Sequence, residues 1–211
     1  MADVKKILIV DDDPALRGMV AFELEGAGYE VVEADCAQAA MDAFDAEVYP
    51  VVILDMGMPP HEHTLEEGKK VLNWVNVYHP QTNVIVLTGQ DADTSSYEVL
   101  KDGAFDFLAK PISGDPLMLS VKRAFMFFSQ NQKLREDEGI QKVSINAPLG
   151  EGVKPIRNQA EEKMLRQVLA DTQFNVHETA RRLGLKRENV YYLIKKYKIE
   201  RPEYDVSARV E

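Results

Sequence analysis

Five short apolar runs, separated by segments of helical periodicity, constrain the fold of this chain more than any other feature. Strands that alternate with helices form a parallel sheet covered on both faces. The sequence therefore predicts a five-stranded, doubly wound α/β domain over residues 1–128. The predicted strands are Ile7–Val10, Tyr29–Val32, Val51–Leu54, Val84–Leu87 and Asp106–Leu108. The predicted helices lie at roughly residues 14–26, 37–46, 66–78, 95–102 and 115–135.

Polar side chains stand at the carboxyl ends of four of these strands. In open α/β sheets ligands bind at the carboxyl ends of the strands, so we expect these side chains to share one pocket. Three aspartates follow the first strand, one ends the third, a threonine ends the fourth and a lysine follows the fifth. In chain order they are Asp11, Asp12, Asp13, Asp55, Thr88 and Lys110.

This set of side chains suits phosphoryl transfer. Adjacent carboxylates repel each other unless a cation lies between them, and hard oxygen ligands on short loops suit Mg²⁺. A hydroxyl and an ammonium nearby can bind the oxygens of a transferred phosphoryl group. Taken singly, each feature has a plainer structural explanation, and Asp13 before Pro14 is expected to cap the first helix. Together they favour Asp55 as the residue that accepts a phosphoryl group.

Residues 5 to about 125 resemble the receiver domain of two-component response regulators, which has a flavodoxin-like fold. The resemblance implies that Asp55 is the phosphoacceptor and that Asp12 and Asp55 bind Mg²⁺ directly. It further implies that Asp11 helps through water and that the Gly57 carbonyl is another ligand. The matching stretches are residues 7–14 (ILIVDDDP), 54–59 (LDMGMP), 86–89 (VLTG) and 103–111 (GAFDFLAKP).

The same resemblance assigns roles to the last two strands. Thr88 and Lys110 are implied to contact the phosphoryl group, with the Lys110–Pro111 peptide in the cis form that proline permits. Phe107 matches an aromatic residue that swings inward when Thr88 moves. A core aromatic residue is the plainer interpretation of Phe107, and the two roles are compatible.

The loop after Asp55 departs from the family pattern. Most receivers carry a glycine eight residues after the phosphoacceptor, whereas the candidate here, Gly68, lies thirteen residues after it. The extra residues fall within 60–67, which we expect to rim the acidic pocket. His61 and His63 in this loop are possible metal ligands, but an ordinary polar loop is the preferred interpretation.

The segment from Pro116 to Glu138 predicts one extended helix. Its apolar residues recur at helical spacing, and residues 125–128 (FMFF) carry more apolar surface than one helix face can bury. Packing on the sheet explains about half of these residues. The remainder predicts a homodimer in which the helix pairs with its copy, so we expect Phe125→Glu to weaken the dimer. Residues 129–157 form a connector whose glycines and prolines indicate a linker.

Residues 158–202 predict a small all-α domain, followed by a tail over 203–211. One helix covers 158–172, and a second begins at Asn175, with Glu178 in its first turn, and stops at Gly184. A third runs from Arg187 to about Ile199. Two short helices joined by a tight turn that contains glycine form a helix-turn-helix.

This domain resembles the Fis-type DNA-binding module through residues 175–184 (NVHETARRLG) and 190–197 (VYYLIKKY). The resemblance implies a dimer whose recognition helices enter successive major grooves of double-stranded DNA. Arg187 and Asn189 are expected to reach bases or nearby phosphates. The residues expected to hold phosphates are Arg181, Arg182, Lys195 and Lys196.

Three residues on the outward face of the last helix depart from the Fis-type pattern. Tyr191 and Tyr192 stand where the family is commonly basic, and Glu188 adds a negative charge. The tyrosines are still able to donate hydrogen bonds to phosphate. An amphipathic bundle whose basic face is solvated and serves dimerisation remains the alternative.

The net charge of −10 is unevenly divided along the chain. Residues 1–153 carry −14, residues 154–202 carry +6, and the last nine carry −2. An acidic domain followed by a basic one suggests that the second binds a polyanion. One cysteine, Cys36, fits a reducing compartment, and no signal peptide or membrane span is evident, so we expect a cytoplasmic protein. His79 and His177 have no partner cluster and are expected on the surface.

The leading hypothesis is a response regulator in which a sensor histidine kinase phosphorylates Asp55 and thereby switches dimerisation and DNA binding. No Gly-x-x-x-x-Gly-Lys-Ser/Thr loop occurs, so we expect no ATPase domain and no enzyme. The rival hypothesis is a phosphorylation-controlled switch whose helical tail binds a protein. The +6 module favours DNA, whereas Glu188 and the two tyrosines favour the rival.

Overall fold

A computed structural model of the chain describes residues 5–59, 64–89, 98–140, 143 and 152–200. The chain divides into two compact units, residues 1–141 and residues 142–211. Within the described ranges, no helix combines the length and the apolar character needed to cross a bilayer. His61 and His63, for which an ordinary polar loop is the preferred interpretation, and the predicted tail at 203–211 lie outside the described residues.

The first unit is built on a five-stranded parallel sheet in the order β2-β1-β3-β4-β5, which confirms the predicted doubly wound domain. Each strand begins and ends within two residues of its predicted bounds. The strands are β1 (Lys6–Val10), β2 (Glu30–Ala34), β3 (Val51–Asp55), β4 (Asn83–Thr88) and β5 (Asp106–Ala109). The helices are α1 (Pro14–Gly26), α2 (Ala37–Ala46), α3 (Glu66–Tyr78), a short α4 (98–101) and α5 (Gly114–Glu138).

Two apolar cores cover the two faces of this sheet. Successive side chains of a strand point to opposite faces, so Ile7 and Ile9 of β1 pack in the core formed with α1 and α5. Leu8 and Val10 pack in the other core, with α2 and α3. Every residue of β3, the central strand, is buried. The carboxyl edge of the sheet is therefore held by packing on both sides.

Helix α5 extends well past the part that packs on the sheet, which confirms the predicted extended helix. Phe125 is buried in the core and stacks on the Tyr29 ring, with the ring centroids 5.3 Å apart. Phe125 is therefore not part of the exposed surface on which the dimer prediction depends, so Phe125→Glu would disturb the core as well as any dimer. Its neighbours Met126 and Phe127 are 56% and 43% exposed, and they carry the unburied apolar surface.

His79, which follows α3, is not the surface residue that the sequence suggested. Its ring lies 4.2 Å from the Phe44 ring and 4.9 Å from the Trp74 ring, measured between centroids. Burial lowers the pKa of His79 from 6.5 to about 4. The imidazole is therefore neutral at physiological pH and belongs to the aromatic packing between α2 and α3.

The second unit contains helices α6 (Val153–Asp171), α7 (Val176–Leu183) and α8 (Arg187–Lys196) around a single apolar core. The Asn175 side chain accepts a hydrogen bond from the Glu178 N–H at 3.1 Å, and Gly184 ends α7 with φ 64°. Both ends of α7 are thus as predicted. A left-handed glycine suits this position because it has no Cβ to clash with the backbone.

Two boundaries in the second unit differ from the prediction. Helix α6 begins at Val153 rather than 158, because Pro155 falls in its first turn, where proline is tolerated. Helix α8 ends at Lys196 rather than near Ile199, because Lys198 turns to φ 48°. That turn returns Ile199 to the core, where it is 7% exposed.

Candidate phosphoacceptor site and DNA-binding surface

The strand register brings the predicted site residues to one edge of the sheet. Asp55 pairs with Leu87, so Thr88 ends β4 one residue beyond the level of Asp55. Thr88 pairs in turn with Ala109, which places Lys110 next along β5. On the other side of β3, Val10 pairs with Leu54, so Asp11 follows at the level of Asp55.

The predicted acidic cluster is present at this edge. Asp11, Asp12 and Asp55 each offer a carboxylate oxygen, and these three oxygens lie within 4.8 Å of one another. The Lys110 Nζ atom is 3.0 Å from Asp11 Oδ2 and 3.0 Å from Asp55 Oδ1. Asp13 belongs to α1 instead, since its side chain accepts from Ala15 N and Leu16 N as the predicted helix cap.

Burial dominates the electrostatics of this pocket. It raises the pKa of Asp55, an effect that the Lys110 charge opposes without cancelling and that repulsion from Asp11 reinforces. A backbone hydrogen bond from Gly57 to Asp55 also lowers that pKa. Burial alone would lower the pKa of Lys110, but its hydrogen bonds and ion pairs with Asp11 and Asp55 outweigh burial and raise that pKa. Lys110 is therefore a stable ammonium beside carboxylates that gain from further positive charge.

The donor set of the pocket fits a hard divalent cation. The Lys110 ammonium contacts two of the three clustered carboxylates, so its one positive charge does not balance the cluster. Clustered carboxylate oxygens on short loops are ligands that Mg²⁺ prefers, because Mg²⁺ keeps several waters and needs few protein ligands. Asp12 and Gly57 are half-buried, whereas Asp11 and Asp55 are buried, so the pocket opens on the Asp12 side of the cluster.

Thr88 lies on β4 two residues beyond Val86, which is the residue paired with Phe107 of β5. The Thr88 Oγ1 atom is buried and has no hydrogen-bond partner among the described residues, so this hydroxyl is available to a ligand. Phe107 is half-buried and packs against the core that α2 and α3 cover. The Lys110–Pro111 peptide is cis, as the resemblance implied.

Arg17 is a pocket residue that sequence reasoning missed. Its Nη1 atom donates to the Asp11 carbonyl oxygen at 2.7 Å, and its Nε atom lies 3.0 Å from a Glu33 carboxylate oxygen. The guanidinium thus connects α1 and β2 to the loop that carries Asp11 and Asp12. The available signal was the position of Arg17, one helical turn after the Asp13 cap.

Gly68 sets how closely α3 approaches the phosphoacceptor. A Cβ atom at this position would lie 2.5 Å from the Met56 Cα and 2.9 Å from the Asp55 carbonyl oxygen. Real Cβ atoms essentially never approach a neighbour so closely, so a side chain here would displace the backbone beside Asp55. The sequence identified Gly68 by its resemblance to the family glycine but gave no reason for it.

Helix α8 carries six of the eight residues predicted to meet DNA, and the other two, Arg181 and Arg182, lie on α7. Val190 and Leu193 are buried in the module core, and the other side of the helix is exposed. Tyr191 and Tyr192 are 62% and 65% exposed. The remaining exposed residues of this helix are Arg187, Glu188, Asn189, Lys195 and Lys196.

Three of the predicted phosphate-binding cations already have carboxylate partners. Arg181 and Arg182 both contact Glu178, at 2.7 and 2.9 Å. Lys196 lies 2.6 Å from Glu161. In the part of the chain that the structure describes, Arg187 and Lys195 have no such partner, so two of the predicted DNA-binding cations on α8 are not neutralised.

Comparison with known families decides the identity of the first unit. A family model described as the response regulator receiver domain matches residues 7–122, more than half of the chain. The chain belongs to the response regulator family. A second model, described as bacterial regulatory protein, Fis family, matches residues 156–197 of the same response regulator. Receiver domains bind Mg²⁺ at an acidic pocket, and response regulators with a helix-turn-helix domain are typically not enzymes.

Two relatives of this response regulator are named as regulatory proteins. The nitrogen assimilation regulatory protein NtrX of Azorhizobium caulinodans is 30% identical over 62% of this chain and 28% of its own length. The transcriptional regulatory protein FixJ of Bradyrhizobium diazoefficiens is 31% identical over 56% of this chain and 55% of its own length. The chain thus spans less than two thirds of either relative. The crystal structure of a CheY-like receiver protein from Methanospirillum hungatei is 27% identical, with a TM-score of 0.55, over 61% of this chain and 98% of that one.

Proposed function

We propose that this protein is a phosphorylation-dependent, DNA-binding response regulator of a two-component system. A sensor histidine kinase transfers a phosphoryl group to Asp55, and the phosphorylated form controls transcription through the helix-turn-helix. The single observation that carries this proposal is the position of Lys110, whose ammonium contacts both Asp11 and Asp55 inside a three-carboxylate cluster. The Fis-family match and the similarity to the transcriptional regulatory protein FixJ support the second half of the proposal.

The transfer uses the residues at the carboxyl edge of the sheet. An Asp55 carboxylate oxygen attacks the phosphorus of the kinase phosphohistidine, the new O–P bond forms, and the P–N bond breaks to release the imidazole. Lys110 and the free Thr88 hydroxyl bind the phosphoryl oxygens and stabilise their charge. Asp12, Asp55 and the Gly57 carbonyl would hold Mg²⁺ directly, with Asp11 contributing through water. Bound Mg²⁺ supplies charge neutralisation at the transferred phosphoryl group.

A labelling experiment tests the phosphoacceptor. The full chain, incubated with a radiolabelled small phosphodonor and Mg²⁺, incorporates label, and Asp55→Asn abolishes incorporation while circular dichroism shows an unchanged fold. Asp13→Asn is the matched control, because it makes the same change on a helix-cap residue of the same edge, and asparagine caps as well as aspartate. Label retained by Asp55→Asn at another residue would show that the assignment is wrong.

The output of the switch is a change in dimer formation. Phosphorylation draws Thr88 toward the phosphoryl group, Phe107 follows, and the face that includes α4 and α5 changes. The exposed Phe127 on α5 supports pairing of this helix with its copy. A dimer brings two helix-turn-helix modules to a two-fold symmetric DNA site, with the recognition helices in successive major grooves.

A second candidate function is a phosphorylation-controlled switch whose helical module binds a protein. An apolar groove of about 500 Å³ in the second unit, lined in part by Met164, Leu185 and Tyr192, favours this alternative. The two candidates differ in their response to salt, since phosphate contacts make DNA affinity fall steeply as salt rises. We expect duplex DNA to bind the full chain with a steep salt dependence, and a flat response would favour the protein partner.

A further inference from the structure

Glu188 is an exposed negative charge on the helix that is proposed to meet a polyanion. On α8 it lies opposite the buried Val190 and Leu193, and it precedes Tyr191 and Tyr192 by three and four residues, which places all three on one exposed side. It is also the second residue of the helix. The N-terminal residues of a recognition helix are those that contact base edges.

Glu188 differs from the three glutamates of its module that lie on α6 and α7. Glu161, Glu162 and Glu178 each bind a cation of the same unit, at 2.6 to 2.7 Å. Within the described ranges, Glu188 has neither an ion pair nor a side-chain hydrogen bond, although Arg187 is its neighbour in sequence. The carboxylate is therefore free to bind a ligand that approaches the face of the helix.

The chemistry of an ionised carboxylate limits what it can bind in DNA. It accepts hydrogen bonds and donates none, so phosphate oxygens repel it and only donors on the base edges remain. The major groove offers two such donors, the exocyclic amino groups of cytosine and adenine. Beside the adenine amino group lies N7, an acceptor that a carboxylate cannot satisfy but that a glutamine amide can. The cytosine amino group is the better partner for a carboxylate.

We propose that Glu188 is a specificity-determining residue that accepts a hydrogen bond from the amino group of a cytosine in the major groove. The proposal rests on the DNA-binding function proposed above and deepens it by naming one base pair of each half-site. Glu188 lowers the affinity of the module for every DNA sequence through its charge. Where a cytosine lies opposite the start of α8, the hydrogen bond to its amino group restores part of that affinity. Glu188 therefore makes the module discriminate between DNA sequences.

The test compares base preferences of the full, phosphorylated chain. A binding site is first selected from random duplexes, and dissociation constants are then measured for duplexes that differ at single base pairs. At one position of each half-site we expect the wild type to prefer cytosine by about tenfold, the low end of what one good base contact contributes. A duplex that carries a cytosine analogue without the amino group at this position should bind more weakly by the same factor.

We expect two substitutions of Glu188 to change the base preference at that position in different ways. Glu188→Ala should abolish the preference, whereas Glu188→Gln should shift it toward adenine, because a glutamine amide pairs with both N6 and N7. Glu200→Gln is the matched control, since Glu200 is exposed beyond the end of α8 and its change removes the same charge from the same module. All three variants should bind DNA somewhat more tightly overall, but only the Glu188 variants should alter base preference.

The outcomes separate this inference from the function on which it rests. If the wild type and Glu188→Ala select the same bases at every position of the site, Glu188 only stabilises the N-terminus of α8. In that case this inference is wrong, but the proposed DNA-binding function stands. If the wild type binds no duplex with sequence preference, the proposed function and the inference fail together. A thermal melt of each variant shows whether any change in preference comes from a loosened helix.

Discussion

His79 makes the stability of the first unit sensitive to mild acid. Its pKa is lowered to about 4 by burial between the Phe44 and Trp74 rings, while in the unfolded chain it returns to about 6.5. Between these values the unfolded chain binds a proton that the native state does not, so stability falls as pH falls and is fully present above about 6.5. The full difference corresponds to about 3 kcal/mol, of which about 2 kcal/mol is lost by about pH 5.

The single tryptophan of the chain supplies the assay, because Trp74 lies against His79 and reports only the first unit. Urea unfolding followed by Trp74 fluorescence is compared at about pH 7.5 and about pH 5 for the wild type and His79→Phe, and we expect the variant to lose about 2 kcal/mol less. His177→Gln, which removes an exposed histidine of the second unit, should behave as the wild type. Equal losses in the wild type and His79→Phe would refute the reasoning. They would mean that the end of α3 and the aromatic faces stabilise the imidazolium as well as water does.

Three further predictions concern the pocket and the connector. Gly68→Ala should destabilise the first unit by about 1–3 kcal/mol and slow the labelling of Asp55, because the new Cβ atom would clash with the backbone of Met56. Gly18→Ala is the control and should have neither effect, since a Cβ atom there would have no neighbour within 4 Å. Arg17→Gln should raise the Mg²⁺ concentration needed for half-maximal labelling, and no change would show that the loop holds its shape without the guanidinium. Phe127→Glu should reduce the fraction of dimer measured by sedimentation, because it places a charge on the exposed apolar surface of α5. An unchanged sedimentation profile would show that α5 does not pair with its copy through Phe127.

The strands and the acidic cluster were predictable because both depend on local sequence patterns. Apolar runs such as Val51–Leu54 are too short for helices and too apolar for exposed strands, so they identify buried strands directly. Parallel strands then bring their carboxyl ends together whatever the detailed packing, which is why Asp11, Asp55 and Lys110 meet as expected. Once the parallel sheet is predicted, these residues are expected to meet even though they are far apart along the chain.

The surroundings of His79 and Arg17 were not predictable, because they depend on which helices pack together. Nothing in the local sequence places Phe44 of α2 against a histidine that follows α3. The pairing of Arg17 with Glu33 likewise depends on β2 lying beside β1. Helical spacing predicts that Glu178 can reach either Arg181 or Arg182, but it does not predict that one carboxylate contacts both.

Strand β4, which ends at Thr88, and strand β5, which Lys110 follows, are both hydrogen-bonded to α5. From β4, the Asn83 side chain donates to the Ala124 carbonyl oxygen at 2.9 Å. On β5, the Asp106 carboxylate accepts from the Ser120 hydroxyl at 2.7 Å. A displacement of either strand on phosphorylation must therefore break one of these contacts or move α5 with it. Since α5 continues beyond the sheet and carries the exposed Met126 and Phe127, even a small rotation would change which of them face the partner helix of the proposed dimer. This geometry provides a direct physical connection between the phosphoacceptor edge and the proposed dimer seam.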